Sequence, residues 1–221
     1  MRVSRPKGIR DQDYEAKRRA LLQRMAVRLM SRDVARPSMR DLAAAAGVTV
    51  PTLQHYFGGR AQVIDAILEE QLRLGAHGLA AQRTSTAPFS NSMHDYARAL
   101  VRALGANRDV RLGDLFAVSL AEGMVDPSIS GSTLRHVLDP TIETLRARLK
   151  DHVARGDMIE TDTRSAALML MSPLLLAFFH QEQLGGAAGD PIALEAMADE
   201  VSAAFVRAFA SPAAPSVGFP G

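Results

Sequence analysis

The side chains that could do chemistry in this chain are scattered along it. Six histidines are present, and no two of them have the spacing of a metal site: His55, His77, His94, His136, His152 and His180. The chain contains no cysteine, which excludes disulfides, thiolate metal sites and cysteine nucleophiles. Neither a glycine-rich phosphate loop nor a serine nucleophile elbow is present. We therefore predict that the protein is not an enzyme and uses no cofactor or metal.

Basic residues are concentrated in the first quarter of the chain. Residues 1–60 contain 13 lysines and arginines against 5 acidic residues, a net charge of +8, whereas residues 61–221 contain 13 against 19, a net charge of −6. This asymmetry favours a polyanion as the partner of the first quarter. A basic helix that simply faces water fits the charge alone equally well.

The segment Arg40–Arg60, RDLAAAAGVTVPTLQHYFGGR, has the spacing of a helix-turn-helix. Ser38 is placed to cap a helix over residues 39–46, and Gly47 can take the positive φ of a tight turn. Pro51 suits the first turn of a second short helix. Small or apolar residues stand where the two helices would pack together: Leu42, Ala43, Ala46, Val48, Leu53 and Tyr56. An ordinary helical hairpin is the alternative.

This segment resembles the DNA-binding domain of the TetR family over residues 15–70. The matching positions are an amphipathic first helix, a second helix rich in small residues, a turn and two residue pairs: Leu21 to Met30, Leu42 to Ala46, Gly47-Val48, Thr52-Leu53 and Tyr56-Phe57. Two positions depart from the family, which usually has Tyr at Gln54 and Lys at Arg60. The resemblance implies a sequence-specific transcriptional regulator that binds double-stranded DNA.

The resemblance also implies which residues would contact DNA. Ser38, Tyr56 and Arg60 would hold phosphates, and Arg40 would bind either a guanine or a phosphate. The amide of Gln54 could read adenine. The other candidates form the outward surface of the second short helix: Thr49, Val50, Pro51, Thr52 and His55.

The elements that must position these residues are helical by their pattern. Alanine and leucine dominate, β-branched runs are scarce, and apolar residues recur at helical spacing. We predict a first helix that is capped by Asp11 or Asp13 and ends near residues 31–33. Further helices are predicted over residues 39–46, 51–57, 60–81, 91–106, 110–123, 130–155, 162–184 and 190–210.

The predicted fold is all-α, with an N-terminal three-helix helix-turn-helix domain joined to a larger helical ligand-binding and dimerisation domain. The first domain covers residues 1–60 and includes a basic arm over residues 1–10. The second covers residues 61–210, and a disordered tail follows over residues 211–221.

By the same resemblance, the second domain would form a homodimer and enclose an effector. The dimer interface is predicted on the last two long helices: Leu168, Met171, Leu175, Phe178, Phe179, Leu194, Met197, Val201, Phe205 and Ala208. The pocket wall is predicted among the middle helices: Met93, Leu112, Phe116, Leu120, Met124, Leu145, Met169 and Leu176. Core packing within one protomer is the alternative for both sets. Asp114, Glu122 and His136 are candidate polar anchors, unless they are solvated.

These features predict a repressor that a small apolar effector of unknown identity releases from a palindromic operator, with the helix over residues 60–81 transmitting the change. The longest apolar run, Ala166 to Phe179, is too short to cross a bilayer, and the basic N-terminus lacks the apolar stretch of a signal peptide. We therefore predict a cytoplasmic protein with no membrane partner. A DNA-binding protein without a small-molecule ligand is the second hypothesis, and an enzyme with an incidental helix-turn-helix is the third.

Overall fold

The computed structural model describes residues 7–33 and 36–212. Across this part of the chain the regular structure is helical, apart from one isolated antiparallel bridge between Met158 and Ala210. The prediction of an all-α fold is confirmed.

The α-helices of the described residues have between 7 and 24 residues. They are α1 (Lys7–Met30), α2 (Met39–Ala46), α3 (Val50–Phe57), α4 (Arg60–Arg83), α5 (Phe89–Gly105), α6 (Leu112–Val125), α7 (Pro127–Thr133), α8 (Asp139–Ala154), α9 (Thr163–Phe178) and α10 (Leu194–Phe209). Two π-helical turns, Leu134–Leu138 and Phe179–Gln183, continue α7 into α8 and extend α9. A short 3₁₀ turn, Gly186–Ala188, precedes α10.

Most helix ends lie within three residues of the predicted ones, but α1 starts earlier than predicted and α10 starts at Leu194 rather than at residue 190. Helix α1 begins at Lys7, so the expected caps Asp11 and Asp13 lie inside it. The reason is that residues 9–30 contain no proline or glycine to stop the helix. The helix predicted over residues 130–155 instead starts at Pro127, where the Asp126 side chain accepts a hydrogen bond from the Ser128 N–H at 3.0 Å. Proline suits this first position because its missing N–H needs no partner there.

The chain divides into two compact units. Unit 1 consists of Met1–His77 and Gly105–Pro140, and unit 2 consists of Gly78–Leu104 and Thr141–Gly221. Each unit therefore combines two separate stretches of chain. The functional domain boundary at residue 60 remains a prediction, as does the disordered tail. Residues 1–6 of the arm and 213–221 of the tail lie outside the described residues.

Unit 1 has an apolar core to which α1, α2, α3, α4 and α6 all contribute. Its fully buried side chains include Leu22, Met25, Leu29, Leu42, Leu53, Ile64, Ile67, Leu68 and Phe116. The α1 members recur every three or four residues, which places them on one face of the helix. Burying each such side chain stabilises the unit by roughly 1.5–3 kcal/mol. The core therefore fixes the helices that carry the helix-turn-helix.

Unit 2 packs α5, α8, α9 and α10 around a second core. Its buried apolar side chains include Met93, Ala97, Leu145, Leu149, Leu170, Phe178, Ala198 and Phe205. A buried cation also belongs to this unit. The Arg148 guanidinium donates to the carbonyl oxygens of Gln82 at 2.8 Å, Thr84 at 3.1 Å and Ser92 at 3.2 Å. These bonds tie α8 to the connection that leads into α5.

One helical stretch of unit 2 is long and apolar enough to cross a membrane. Thr163–Gln183 has 21 residues and a mean hydropathy of 1.2, because the π turn lengthens the helix beyond the apolar run of the sequence. In its most apolar window 44% of the residues are buried inside the structure. A core helix of a soluble protein meets the same criteria of length and composition, so the stretch is weak evidence for a membrane.

Candidate nucleic-acid interface

Helix α2 begins with a reciprocal capping box. The Ser38 hydroxyl accepts a hydrogen bond from the Asp41 N–H at 3.3 Å, and the Asp41 carboxylate accepts from the Ser38 N–H at 2.8 Å. The Ser38 hydroxyl also donates to this carboxylate at 2.7 Å, and the hydrogen bonds from the Ser38 side chain and backbone hold the pKa of Asp41 below its ordinary value. The predicted cap is therefore present. A cap of this kind stabilises a helix by about 0.5–2 kcal/mol.

The turn between α2 and α3 depends on a glycine and a second cap. Gly47 has φ +71°, as predicted, and its N–H donates to carbonyls at the end of α2. Any side chain at this position would be strained by the left-handed backbone. Thr49 then caps α3 by accepting from the Thr52 N–H at 3.3 Å, and Pro51 lies in the first turn. The sequence thus sets the angle between the two helices locally.

Helix α3 buries one side and exposes the other. Leu53 is fully buried beneath the helix. The exposed residues of the predicted reading surface are Thr49, Pro51, Gln54 and His55, with Val50, Thr52 and Tyr56 half-buried. On α2, Ser38 and Arg40 are also exposed. The short helix therefore presents polar and small side chains to solvent, and a surface of this kind can enter a major groove.

An aromatic cluster joins α1 to the end of α3. The rings of Tyr14 and Tyr56 stack with centroids 5.2 Å apart and an interplanar angle of 19°. One turn along, the Arg18 guanidinium lies 5.0 Å from the centroid of Phe57. These contacts were not predicted from the sequence. The signal was available, since Tyr14 and Arg18 continue the spacing of the buried stripe from Leu22 towards the N-terminus.

Arg60, expected on a phosphate, is engaged inside unit 1. Its two terminal nitrogens donate to the Glu122 carboxylate at 2.9 and 2.6 Å, and its Nε donates to the Pro37 carbonyl at 3.1 Å. Arg36 donates to the same carboxylate, with Nε 3.3 Å from Oε2. Glu122 is only 2% exposed. No sequence signal pairs these residues, because 62 positions separate Arg60 from Glu122.

The ionisation of Glu122 follows from these contacts. Burial raises the pKa of the carboxyl, but the hydrogen bonds and positive charges of Arg60 and Arg36 outweigh burial and hold the pKa below its ordinary value. The hydrogen bonds to Glu122 in turn raise the pKa of Arg60. The ion pair is therefore fully charged at neutral pH.

The other two candidate polar anchors are also engaged within unit 1 rather than solvated. Asp114 accepts from Arg111 at 2.8 Å and from Arg32 at 3.1 Å. The His136 Nε2 lies 3.1 Å from Asp65 on α4. No group of three or more acidic or histidine side chains that could hold a metal occurs in the described part of the chain.

Comparison with known proteins identifies the helix-turn-helix. Residues 24–67, which include α2 and α3, match the model of the bacterial regulatory proteins of the tetR family. Over these residues the chain has a DNA-binding domain of the TetR family. No curated protein matches the chain.

Solved structures show the same fold across about nine-tenths of the chain. A TetR-family transcriptional regulator from Mesorhizobium loti has 16% sequence identity and a TM-score of 0.70, over 89% of this chain and 98% of its own. A TetR transcription regulator from Haloarcula marismortui has 13% identity and a TM-score of 0.68, over 89% and 100%. A transcriptional regulator from Saccharomonospora viridis in complex with choline has 17% identity and a TM-score of 0.66, over 90% and 100%. These likenesses show that the chain has the fold of these three proteins.

The predicted pocket residues occupy different environments. Met93, Phe116 and Leu145 are fully buried, Leu112 and Leu120 are half-buried, and Met124, Met169 and Leu176 are exposed by 80%, 60% and 69%. The apolar pocket remains a prediction. Unit 2 does contain an open groove of about 590 Å³ between α5 and α10, lined by Ser90, Asn91, His94, Asp95, Ser202, Ala203, Val206 and Arg207. None of these residues belongs to the predicted wall.

The predicted dimer residues also fall into two groups. Met171, Phe178 and Phe205 are buried within unit 2, where they pack in the core of one protomer. The others reach the surface: Leu168 and Ala208 are exposed, and Leu175, Phe179, Leu194, Met197 and Val201 are half-buried. Only the second group is accessible to a second copy. The dimer itself remains a prediction.

Proposed function

We propose that this TetR-family protein is a cytoplasmic repressor that binds a palindromic operator as a homodimer and is released by a small apolar effector. The helix-turn-helix carries the proposal. It combines an exposed α3 surface, a left-handed turn at Gly47 and a surrounding segment with a net charge of +8. A catalytic role is not proposed, because no set of side chains suggests one.

The residues exposed on α2 and α3 support direct base reading. Arg40 and Gln54 are exposed. An arginine can donate two hydrogen bonds to a guanine, and a glutamine amide matches the donor and acceptor of adenine. Ser38 and Tyr56 lie at the ends of the two helices, where side chains and helix N-termini commonly hold phosphates. One such short helix reads few bases, so a specific site needs two copies arranged by a two-fold axis.

Exposed apolar side chains on α9 support the homodimer. Leu168, Met169 and Leu176 are 42%, 60% and 69% exposed, and Met197 on α10 is half-buried. We infer that a second copy covers these side chains, because large exposed apolar areas usually mark an interface. Leu168→Asp should give a monomer in sedimentation experiments at micromolar concentration. Val27→Asp is the matched control, since Val27 is 45% exposed on α1 and should leave the dimer intact. A wild-type monomer would contradict the proposal.

The effector is proposed by likeness of fold and tested with a small set of probes. Choline is the ligand of one structural neighbour, so choline and longer quaternary ammonium compounds are screened first. Medium-chain fatty acids are screened with them as probes of the proposed apolar class. A compound that binds the native state raises the unfolding midpoint. Operator affinity at a saturating concentration of that compound should fall roughly 5- to 150-fold. Unchanged affinity would favour the second hypothesis, a DNA-binding regulator without a small-molecule ligand.

The operator can be found without knowing the regulated genes. The full-length protein is mixed with a library of random duplexes, and bound duplexes are recovered and sequenced. We expect a palindrome whose half-sites are about one helical turn apart or slightly more. Enrichment of a single, non-repeated half-site would contradict dimeric reading, and no enrichment at all would contradict sequence-specific DNA binding.

A further inference from the structure

One buried carboxylate holds both ends of the helix-turn-helix. Glu122 on α6 accepts two hydrogen bonds from Arg60, at 2.9 and 2.6 Å, and further contacts from Arg36 at 3.3 and 3.2 Å. Arg60 is the first residue of α4, three positions after α3 ends. Arg36 lies three positions before α2 begins. The pair of helices that would read DNA is thus fixed to α6 at its entry and at its exit.

The backbone on the entry side supports this constraint. Arg36 has φ +52°, in the left-handed region that residues other than glycine rarely adopt. Arg60 also donates through Nε to the carbonyl of Pro37, the next residue. The guanidinium of Arg60, at the start of α4, therefore links the segment before α2 to the buried carboxylate of α6. Strained backbone persists where surrounding contacts over-determine it.

The charged groups of Glu122, Arg60 and Arg36 bind one another. Glu122 is 2% exposed, and the side chain of Arg60 is 23% exposed. A forked pair of hydrogen bonds between Arg and a carboxylate is among the strongest polar contacts in proteins. For Arg60 to reach a phosphate, it would have to leave Glu122 buried with one partner fewer, which is strongly unfavourable. The geometry therefore opposes the phosphate role that the family resemblance implied.

We propose that Glu122 is a positioning residue for DNA recognition: it keeps Arg60 and Arg36 off the DNA phosphates and uses them to fix the helix-turn-helix on α6. The inference rests on the proposed DNA-binding function. A displacement of α6 would move α2 and α3 together. A second tie points the same way, since Asp114, eight residues before Glu122 on α6, accepts from Arg32 beyond the end of α1 at 3.1 Å. Effector coupling would then pass through α6 in addition to α4.

The test measures affinity and its salt dependence for four full-length variants. Glu122→Gln, Arg60→Gln, the double variant and Arg60→Lys are compared with wild type on the selected duplex and on a random duplex, at several KCl concentrations. Each phosphate contact contributes about 0.9 to the slope of log affinity against log salt. Arg60→Lys keeps the charge and loses the fork, so it separates positioning from simple phosphate binding.

The proposal predicts one pattern. Glu122→Gln and Arg60→Gln each lower the affinity for the selected duplex roughly tenfold. The double variant has an affinity no lower than that of the single variant with the larger loss. Affinity for the random duplex changes less than about twofold, the salt slope stays at the wild-type value, and Arg60→Lys does not restore binding. The random duplex also serves as a test of folding, because an unfolded variant would lose both affinities.

A different pattern overturns the proposal. If Arg60 holds a phosphate, Arg60→Gln lowers the slope by about 0.9, Arg60→Lys restores affinity, and Glu122→Gln tightens binding to both duplexes. If Glu122→Gln does not fold, Arg36→Gln decides, because the Arg36 side chain is 47% exposed and tolerates replacement. Weaker binding to the selected duplex at an unchanged slope supports positioning, and any other result refutes it. If the wild-type protein selects no duplex, the proposed function itself is refuted. If the wild-type protein binds and the variants show the pattern expected for Arg60 on a phosphate, only this inference is refuted.

Discussion

The helix-turn-helix of unit 1 and the α9–α10 region of unit 2 are held together in different ways. Between Ser38 and Phe57, structure is set by contacts three or four residues apart: the capping box, the left-handed Gly47 and the Thr49 cap. In α9 and α10, stability comes from distant packing, with Phe178 and Phe205 buried in one core. Short-range rules therefore fix the first region, whereas the second depends on how separate helices meet.

The largest expected effect tests the second region. Phe178→Ala removes a side chain that is 1% exposed and leaves a cavity in unit 2, which should lower the free energy of unfolding by about 3–5 kcal/mol. Chemical denaturation measures the change. Leu184→Ala is the control, because Leu184 is 80% exposed and its removal should cost less than about 0.5 kcal/mol. Equal effects of the two variants would refute the assignment of Phe178 to the core.

Two glycine substitutions in unit 1 should change the free energy of unfolding in opposite directions. Gly47→Ala forces a side chain into the left-handed conformation and should destabilise the protein by about 1–2 kcal/mol. Gly75→Ala, inside α4 with no neighbouring atom within 4 Å of the new Cβ, should stabilise it by roughly 0.5–1 kcal/mol. Thermal unfolding of both variants gives the comparison. Stabilisation by Gly47→Ala would show that the turn does not constrain α2 and α3 as described.

Acid should weaken unit 2 through a buried histidine. His152 is fully buried, and burial, together with the charge of Arg155, outweighs the hydrogen bond to Asp157 and lowers its pKa. Its contribution to stability is therefore complete above the unfolded pKa of about 6.5 and is lost as the pH falls through the lower folded value. Unfolding at pH 7.5 and 5.5 should show a loss that is smaller in His152→Gln. The exposed His77→Gln variant should retain the wild-type loss, and an unchanged pH dependence in His152→Gln would contradict the account.

The features that could be predicted from the sequence are those that depend on neighbouring residues. The bounds of α2 and α3, the cap at Ser38 and the positive φ at Gly47 follow from residue types within one turn of each other. The partner of Arg60 could not be predicted, because Glu122 is 62 positions away in the sequence. Which apolar residues of α9 and α10 are buried within one protomer also could not be predicted, since an apolar helix face suits a core and an interface alike.

The central claim is that unit 1 reads DNA, and a salt titration tests it most directly. Fluorescence anisotropy of the selected duplex should show affinity that falls steeply and linearly in log KCl, as expected for several neutralised phosphates. Arg40→Ala should relax discrimination at one base pair of the selected site by about 1–3 kcal/mol while the fold is retained. Affinity independent of salt, or no binding by the full-length protein, would contradict the claim.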